Sequence, residues 1–233
     1  IQTVRSERMH KQSALVVGAS RGIGLAVVRH LSALEADVVA TWNTTRPENT
    51  ERNVTWRQAD ITQAESLLSL MTACAGRYFD FILVNAGIYG PAHQDPALTE
   101  RSETENLFTV NAVAPVQAAK ILMPLLRENH ESVIGLMSSR LASLNENTEA
   151  DMPLYAASKA ALNVLTRSLL EPARERGATL LSLHPGWVRT DMGGSMAPVE
   201  PEESAAGIIS QLRHYRARGG HHFVDYAGEV LEW

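Results

Sequence analysis

A parallel, doubly wound α/β sheet with helices on both faces is the fold this sequence predicts. Three observations predict it. Short apolar runs alternate with helical patterns almost from end to end, as repeated βα units require. A glycine-rich turn follows the first apolar run and opens the first helical pattern. The length, 233 residues, suits one domain of this kind, and no internal repeat, low-complexity tract or linker divides it.

The elements follow in order. Ala14–Gly18 reads as the first strand and Gly22–Leu34 as the first helix. Asp37–Thr41 and Val54–Ala59 are the next two strands, and Gln63–Ala75 is a helix. Asp80–Asn85 is the fourth strand. A helix around Ser102–Val110 then runs on, with a break, toward Leu126. Ser132–Ser138 is the fifth strand. Pro153–Glu171 is a long helix, with Pro153 in the first turn where a missing N–H costs least. Thr179–His184 is the sixth strand. Pro201–Tyr215 opens with Pro-Glu-Glu, suited to the positive end of a helix dipole. Gly220–Asp225 closes a sheet of about seven strands. Asn43–Arg52, Leu141–Asp151 and Asp191–Pro201 are loops, the first of them polar and expected to be mobile. Residues 1–12 read as an N-terminal extension and 13–233 as the domain, with Met9 the expected native start and residues 1–8 an addition ahead of it.

Composition excludes several classes. The chain is 45% hydrophobic and 20% charged, with a formal net charge of −5 and no Lys/Arg cluster, which argues against a nucleic-acid partner. Cys74 is the single cysteine, so no intrachain disulfide forms, and its apolar helical setting makes it a core residue. No apolar run reaches bilayer-spanning length, and the N-terminus lacks the apolar region of a signal peptide. The expectation is a cytoplasmic protein with no membrane partner.

Val17-Gly-Ala-Ser-Arg-Gly-Ile-Gly24 follows the first strand. Gly18 permits a tight turn, Gly22 close approach of backbone to a pyrophosphate, and Gly24 close helix–strand packing. The N–H groups at the helix start then face phosphates. The alternative is a glycine-rich turn that binds nothing, and the βα units that follow favour a dinucleotide. An NAD site places a carboxylate at the end of the second strand to bond the ribose 2′-OH. Here that strand runs into Asn43-Thr-Thr-Arg46, with no Asp or Glu, and Arg21 lies within the glycine loop. Hydroxyl donors and arginines suit a 2′-phosphate, so NADP(H) is expected over NAD(H).

Tyr155 and Lys159 lie four residues apart, one helical turn, on one face. A phenol titrates near ~10. An ammonium ~4 Å away at an effective dielectric of ~20 attracts a phenolate by about 4 kcal/mol, or roughly 3 pK units as an upper bound. Such a tyrosine could move a proton near neutral pH. The spacing alone is one that chance produces.

Taken together, these residues resemble the short-chain dehydrogenase/reductase family, whose fold is Rossmann-type. The resemblance runs from Ala14 to Trp233. It includes Asp60-Ile-Thr62, Asn85-Ala-Gly87, Asn111 in Thr109-Val-Asn-Ala112, Ser138-Ser139, the Tyr155/Lys159 pair and Pro185-Gly-Trp-Val-Arg-Thr190, each at a strand end or helix position. It implies that Gly18, Ser20, Arg21, Gly22, Ile23 and Gly24 hold the cofactor together with Asn43 and Thr44. Asp60 and Ile61 flank the adenine, and Asn85, Ala86 and Gly87 line the adenosine pocket. Pro185, Gly186, Val188 and Thr190 hold the nicotinamide end. Asp60 as a helix cap and Asn85 as a turn residue are the bland alternatives. Val17 and Val84 stand where the family has Thr and often Asn, which removes two side-chain hydrogen bonds.

The resemblance also assigns chemistry. Tyr155 protonates a carbonyl oxygen as hydride arrives, Lys159 lowers its pKa and bonds the nicotinamide ribose, Ser139 polarises the carbonyl, and Asn111 supports a water beside Lys159. Ser138 competes with Ser139, and the second of such a pair is preferred. The long separation of Ser139 from Tyr155 places Leu141–Asp151 beside the substrate and resembles a C-factor and sniffer-like carbonyl reductase branch, as does the ending Gly228-Glu-Val-Leu-Glu-Trp233. Trp187, Met192 and Met196 are candidate pocket walls. His184 is expected to be packed or hydrogen-bonded, and adjacent His221 and His222 face opposite ways on a strand, so no metal site is expected. The implied activity is NADP(H)-dependent interconversion of a small-molecule carbonyl and an alcohol. Two alternatives stand beside it: an NADP(H)-binding signalling protein with low turnover, and a reductase of carrier-linked 3-oxoacyl chains. Relatives pair into homodimers or homotetramers through helices at Ala112–Leu126 and Leu154–Leu170. The short Asp191–Pro201 segment implies an open pocket.

Overall fold

Aliphatic runs of four to six residues form the strands, and a computed structural model of the chain describes residues 11–48 and 51–233. The strands are β1 (Ser13–Val17), β2 (Asp37–Trp42), β3 (Val54–Gln58), β4 (Phe81–Val84), β5 (Val133–Met137), β6 (Thr179–His184) and β7 (His221–Asp225). They form one seven-stranded sheet in the order β3-β2-β1-β4-β5-β6-β7, each neighbouring pair parallel. Every residue of β1, β4 and β5 is buried, as expected of parallel strands covered on both faces.

Successive residues feed two cores. Leu15 and Val17 enter one with Leu67, Leu70, Leu122 and Leu162. Ala14 and Val16 enter the other with Val27, Leu31, Ile208 and Leu212. The first face is covered by α2 (Ala64–Ala73), α4 (Ala114–Leu122) and α5 (Pro153–Thr166). The second is covered by α1 (Gly22–Ala33) and α7 (Pro201–His214). The chain winds from β1 outward to β3, then returns to β4 on the other side of β1, which opens a crevice at the strand ends. Register sets what meets there. Val17 lies opposite Val84, Val84 opposite Leu136 and Leu136 opposite Ser182. The residues that follow these four strands therefore emerge along one edge.

Three expectations change. The helical run after β4 is continuous from Arg101 to Leu125, as α3 (Arg101–Phe108), a π-helical turn (Thr109–Val113), α4 and a 3₁₀ turn (Met123–Leu125). The expected break is the π turn, and Pro115, which cannot donate to the Asn111 carbonyl, accounts for the widened turn. As one 25-residue run it is long and apolar enough to cross a membrane, contrary to the sequence expectation. Its Leu107, Ala112, Ala118 and Leu122 are buried in the protein instead. The long helix from Pro153 divides into α5, a 3₁₀ turn (Arg167–Leu169) and α6 (Leu170–Glu175). Pro172 leaves the Ser168 carbonyl without its helical donor, so the chain tightens there. Residues 1–10, and with them the Met9 start and most of the extension, lie outside the described residues, as do residues 49 and 50 of the expected polar loop. Gln12 already belongs to the domain, its carbonyl accepting from the Asp37 N–H at 2.8 Å.

Leu122→Ala should lower unfolding free energy by about 2–5 kcal/mol in denaturant titration, because the side chain is fully buried. Leu68→Ala, at an exposed position of α2, should stay within about 0.5 kcal/mol of the parent.

Candidate active site

The glycine loop is held from two strands. The Gly18 N–H donates to Thr41 Oγ1 at 2.9 Å and the Ala19 N–H to the Thr41 carbonyl at 2.8 Å. Asn85 Nδ2 donates to the Gly18 carbonyl at 3.0 Å. Gly18 has φ +82°, a conformation that favours glycine. A Cβ on Gly24 would lie 2.3 Å from the Gly18 carbonyl oxygen, so only glycine lets α1 approach the loop this closely. The first turn of α1, Gly-Ile-Gly-Leu, is uncharged. Its capping position is Arg21, which has no acceptor atom. The leading N–H groups of α1 are thus available to an anion. Ser20, Gly22 and Ile23 are half-buried around this opening.

Other strand-end residues gather at the same edge. A Cβ on Gly22 would touch Thr190 Cγ2 at 3.4 Å, so the Pro185–Thr190 segment lies against the glycine loop. Within that segment Val188 is buried, Gly186 has φ +88°, and the Pro185 carbonyl accepts from Ser204 Oγ at 2.6 Å. Asp60 is not a helix cap. Its Oδ1 accepts from the Thr62 N–H at 2.9 Å and Thr62 Oγ1 at 2.7 Å, closing a local turn, and α2 begins after Gln63. Ile61 is buried beside it. Asn43 and Thr44 are exposed at the end of β2. Arg21 is also exposed and lies 3.6 Å from Asp191.

A second group forms where α5, the π turn and the ends of β4 and β5 meet. Lys159 is almost wholly buried, and its Nζ donates to the Met137 carbonyl at 2.8 Å. The ammonium is 5.8 Å from the centroid of the Tyr155 ring. A Cβ on Gly87 would lie 3.2 Å from that Nζ. Asn111 is fully buried. Its Oδ1 accepts from the Ile88 N–H at 2.8 Å, and its Nδ2 donates to the Ile88 carbonyl at 2.8 Å and Ser158 Oγ at 3.0 Å. Ser138 Oγ donates to Asn163 Oδ1 on α5 at 2.8 Å. Ser139 Oγ accepts from the Leu141 N–H at 3.2 Å, which leaves its own proton free to be donated.

The electrostatics depart from the sequence expectation. Burial, with a smaller contribution from Tyr89, pushes the Tyr155 phenol up to about 12. Burial brings the Lys159 ammonium down to about 8. The expected depression of the phenol is absent because removal from water disfavours its charged form. At neutral pH the phenol is protonated.

Two neighbours of Tyr155 escaped sequence reasoning. The Tyr89 ring stacks on it at 6.2 Å between centroids, and Gln94 Oε1 accepts from its backbone N–H at 2.9 Å. Neither belongs to a spaced motif; both lie in the irregular segment after β4. Leu141–Asp151 is held beside β7. Arg140 bonds Glu146 at 2.7 Å, Asp225 at 3.2 Å and Glu229 at 2.7 Å. Trp187, Met192 and Met196 are exposed, with Trp187 Nε1 donating to the Gly193 carbonyl at 2.8 Å. His184 is packed, brought down to about 4 by burial first and Arg140 second, and its Nδ1 finds no partner among the described residues. His221 bonds Ser182 Oγ and His222 the Gly219 carbonyl, on opposite sides of β7. Cys74 is buried, and burial raises its thiol pKa.

Comparison with known proteins adds four likenesses. Residues 12–200 match the family model described as short chain dehydrogenase. The chain is 33% identical over 156 residues to C-signal of Myxococcus xanthus, a match covering 66% of this chain and 92% of that protein. A short-chain dehydrogenase/reductase from Burkholderia multivorans, solved with bound NADP, superposes with a TM-score of 0.90 at 31% identity, covering 96% of this chain and 100% of that one. A carbonyl reductase from Pseudomonas aeruginosa PAO1, solved in complex with NADP, has a TM-score of 0.83 at 37% identity, with 96% and 100% coverage.

Stability should carry the signature of the two shifted groups. Lys159 is lowered from its ordinary value to about 8, so the native state sheds this proton first, and stability should rise as pH passes from about 8 toward 10. Tyr155 is raised to about 12, so the unfolded chain loses that proton first, and stability should fall above about 10. Denaturant titrations from pH 7 to 10 should show the rise in the parent and its reduction in Lys159→Met.

Proposed function

The chain belongs to the short-chain dehydrogenase family, and on that premise we propose that it is an NADP(H)-dependent carbonyl reductase. The observation that carries the reading is the protonated, buried Tyr155 beside Lys159, set on the same strand-end edge as an uncapped glycine-rich helix start. The cofactor fits the residues present. The α1 N–H groups and the Gly18–Gly24 loop, against which glycine at 24 lets α1 pack closely, suit a pyrophosphate. The end of β2 has no carboxylate, and exposed Asn43, Thr44 and Arg21 suit a 2′-phosphate. The NADP carried by similar solved structures supports the same choice. Asp60, Ile61, Asn85, Ala86 and Gly87 are assigned to the adenosine end, and Pro185, Gly186, Val188 and Thr190 to the nicotinamide end.

When bound, the reduced cofactor supplies a hydride to the carbonyl carbon. The chain's own residues handle the oxygen. Ser139 donates a hydrogen bond to it, and Tyr155 transfers its phenolic proton to it, so carbonyl, hydride and proton together give the alcohol. A phenol that is protonated at neutral pH is in the state that reduction needs. Lys159 then stabilises the tyrosinate, which regains its proton from solvent. Asn111 keeps Ile88 and Ser158 in place around the pair. The exposed Trp187, Met192 and Met196 border an open substrate side.

A second reading, a signalling protein that binds NADP(H) and turns over slowly, draws on the likeness to C-signal. NADPH consumption against a panel of aldehydes, ketones and quinones separates the two, and no turnover with any of them would favour the second. Tyr155→Phe should bind NADPH with a dissociation constant near that of the parent and lose kcat by a factor of about 100 or more. Retained turnover would remove Tyr155 from the mechanism. Arg21→Ala should narrow the preference for NADPH over NADH, read as the ratio of the two kcat/KM values.

A further inference from the structure

We propose that Gln94 is a positioning residue that caps the helix carrying Tyr155 at Tyr155 itself. The inference rests on Tyr155 being the proton donor, and it begins from the way α5 starts. The residue at its capping position is Met152, which makes no side-chain cap, and Pro153 follows without an N–H. A helix start with such residues leaves its next N–H groups unpaired. One of them is the Tyr155 N–H, and Gln94 Oε1 accepts from it at 2.9 Å across 61 residues of sequence.

The other end of the same amide is also committed. Gln94 Nε2 donates to the Tyr89 carbonyl at 3.1 Å and to the Pro91 carbonyl at 2.9 Å. Gln94 is buried and holds φ +54°, a left-handed backbone that a non-glycine residue adopts at a cost. The cost is met where the side chain makes three bonds. Just before this segment, Asn111 clamps Ile88 through both its N–H and its carbonyl. The loop after β4 is thus fixed at Ile88 by the π turn and at Tyr89 by Gln94. Its Tyr89 ring stacks on the Tyr155 ring. One glutamine therefore sets both the backbone of Tyr155 and the ring packed against it.

The reacting oxygen stands at the far end of a long side chain, so a small tilt of the first turn of α5 displaces it more than the backbone moves. A misplacement of ~1 Å at a reacting centre costs on the order of a hundredfold in rate. Loss of Gln94 should therefore appear in kcat rather than in cofactor affinity.

Two variants and two measurements test this. Gln94→Leu removes the acceptor and both donors, and Gln94→Glu keeps the acceptor. Amide hydrogen exchange at Tyr155, measured on the protein without nucleotide, should be slow in the parent, faster in Gln94→Leu and slow again in Gln94→Glu. With NADPH and a reactive carbonyl, Gln94→Leu should lower kcat roughly ten- to a hundredfold with the NADPH dissociation constant within about twofold of the parent. Gln94→Glu should recover part of that loss, the remainder reflecting the donors lost to the Tyr89 and Pro91 carbonyls. Parent-like exchange in Gln94→Leu, parent-like kcat in Gln94→Leu, or equal losses in the two variants would each overturn the proposal. If Gln94→Leu does not fold, Gln94→Glu decides, since fast exchange there with a parent-like kcat, or slow exchange with an about hundredfold lower kcat, also overturns it. The exchange result does not depend on the reaction, so retained turnover in Tyr155→Phe would overturn the proton-donor reading alone.

Discussion

The level ends of four parallel strands are the constraint on which the site depends. Val17, Val84, Leu136 and Ser182 lie in one row across β1, β4, β5 and β6. A slip of one residue in any pairing would turn a strand's core side chains to the opposite face. Two separate cores resist it, one on each face of the sheet. With the row in place, the glycine loop, Asn85, Ser139 and Pro185 all leave the sheet at its same edge. The chain brings the residues proposed for catalysis and nucleotide binding together mainly by holding hydrophobic strands in register.

Burial is then set against charge at that edge. Lys159 is a buried ammonium, and its one described hydrogen bond is to the Met137 carbonyl. Glycine at position 87 is what leaves room for it. The same dry surroundings keep the Tyr155 phenol protonated. The pair is therefore not a preformed ion pair but a neutral phenol beside a buried ammonium. A site of this kind stabilises an oxyanion when one forms and costs less to fold than one holding a standing phenolate.

Legibility in the sequence differed residue by residue. The glycine loop and the Tyr155/Lys159 pair could be read because each acts through a fixed local spacing, a strand–helix turn in one case and a helical turn in the other. Ser138, the rival of Ser139 in the sequence, is committed to Asn163, a partner on a distant helix that the motif does not reveal. Helix capping by Asp60, the alternative to the favoured adenine contact, is set aside because its carboxylate bonds Thr62 two residues on, a turn that the helix pattern alone does not distinguish from a cap. The lowered tyrosine pKa failed because spacing gives proximity and says nothing of desolvation. Tyr89, Gln94 and the Met137 carbonyl act across tens of residues, and no local pattern announces them.

By itself the sequence determined the family, the order of strands and helices and the identity of the chemical groups, because periodicity, turn glycines and short motifs are local properties of the chain. Tertiary structure alone decided the protonation of those groups, the commitment of one serine and the release of the other, and the capping of α5 from a distant loop. Each of these depends on burial or on a hydrogen bond between segments far apart in sequence, and neither exists until the sheet has brought them together.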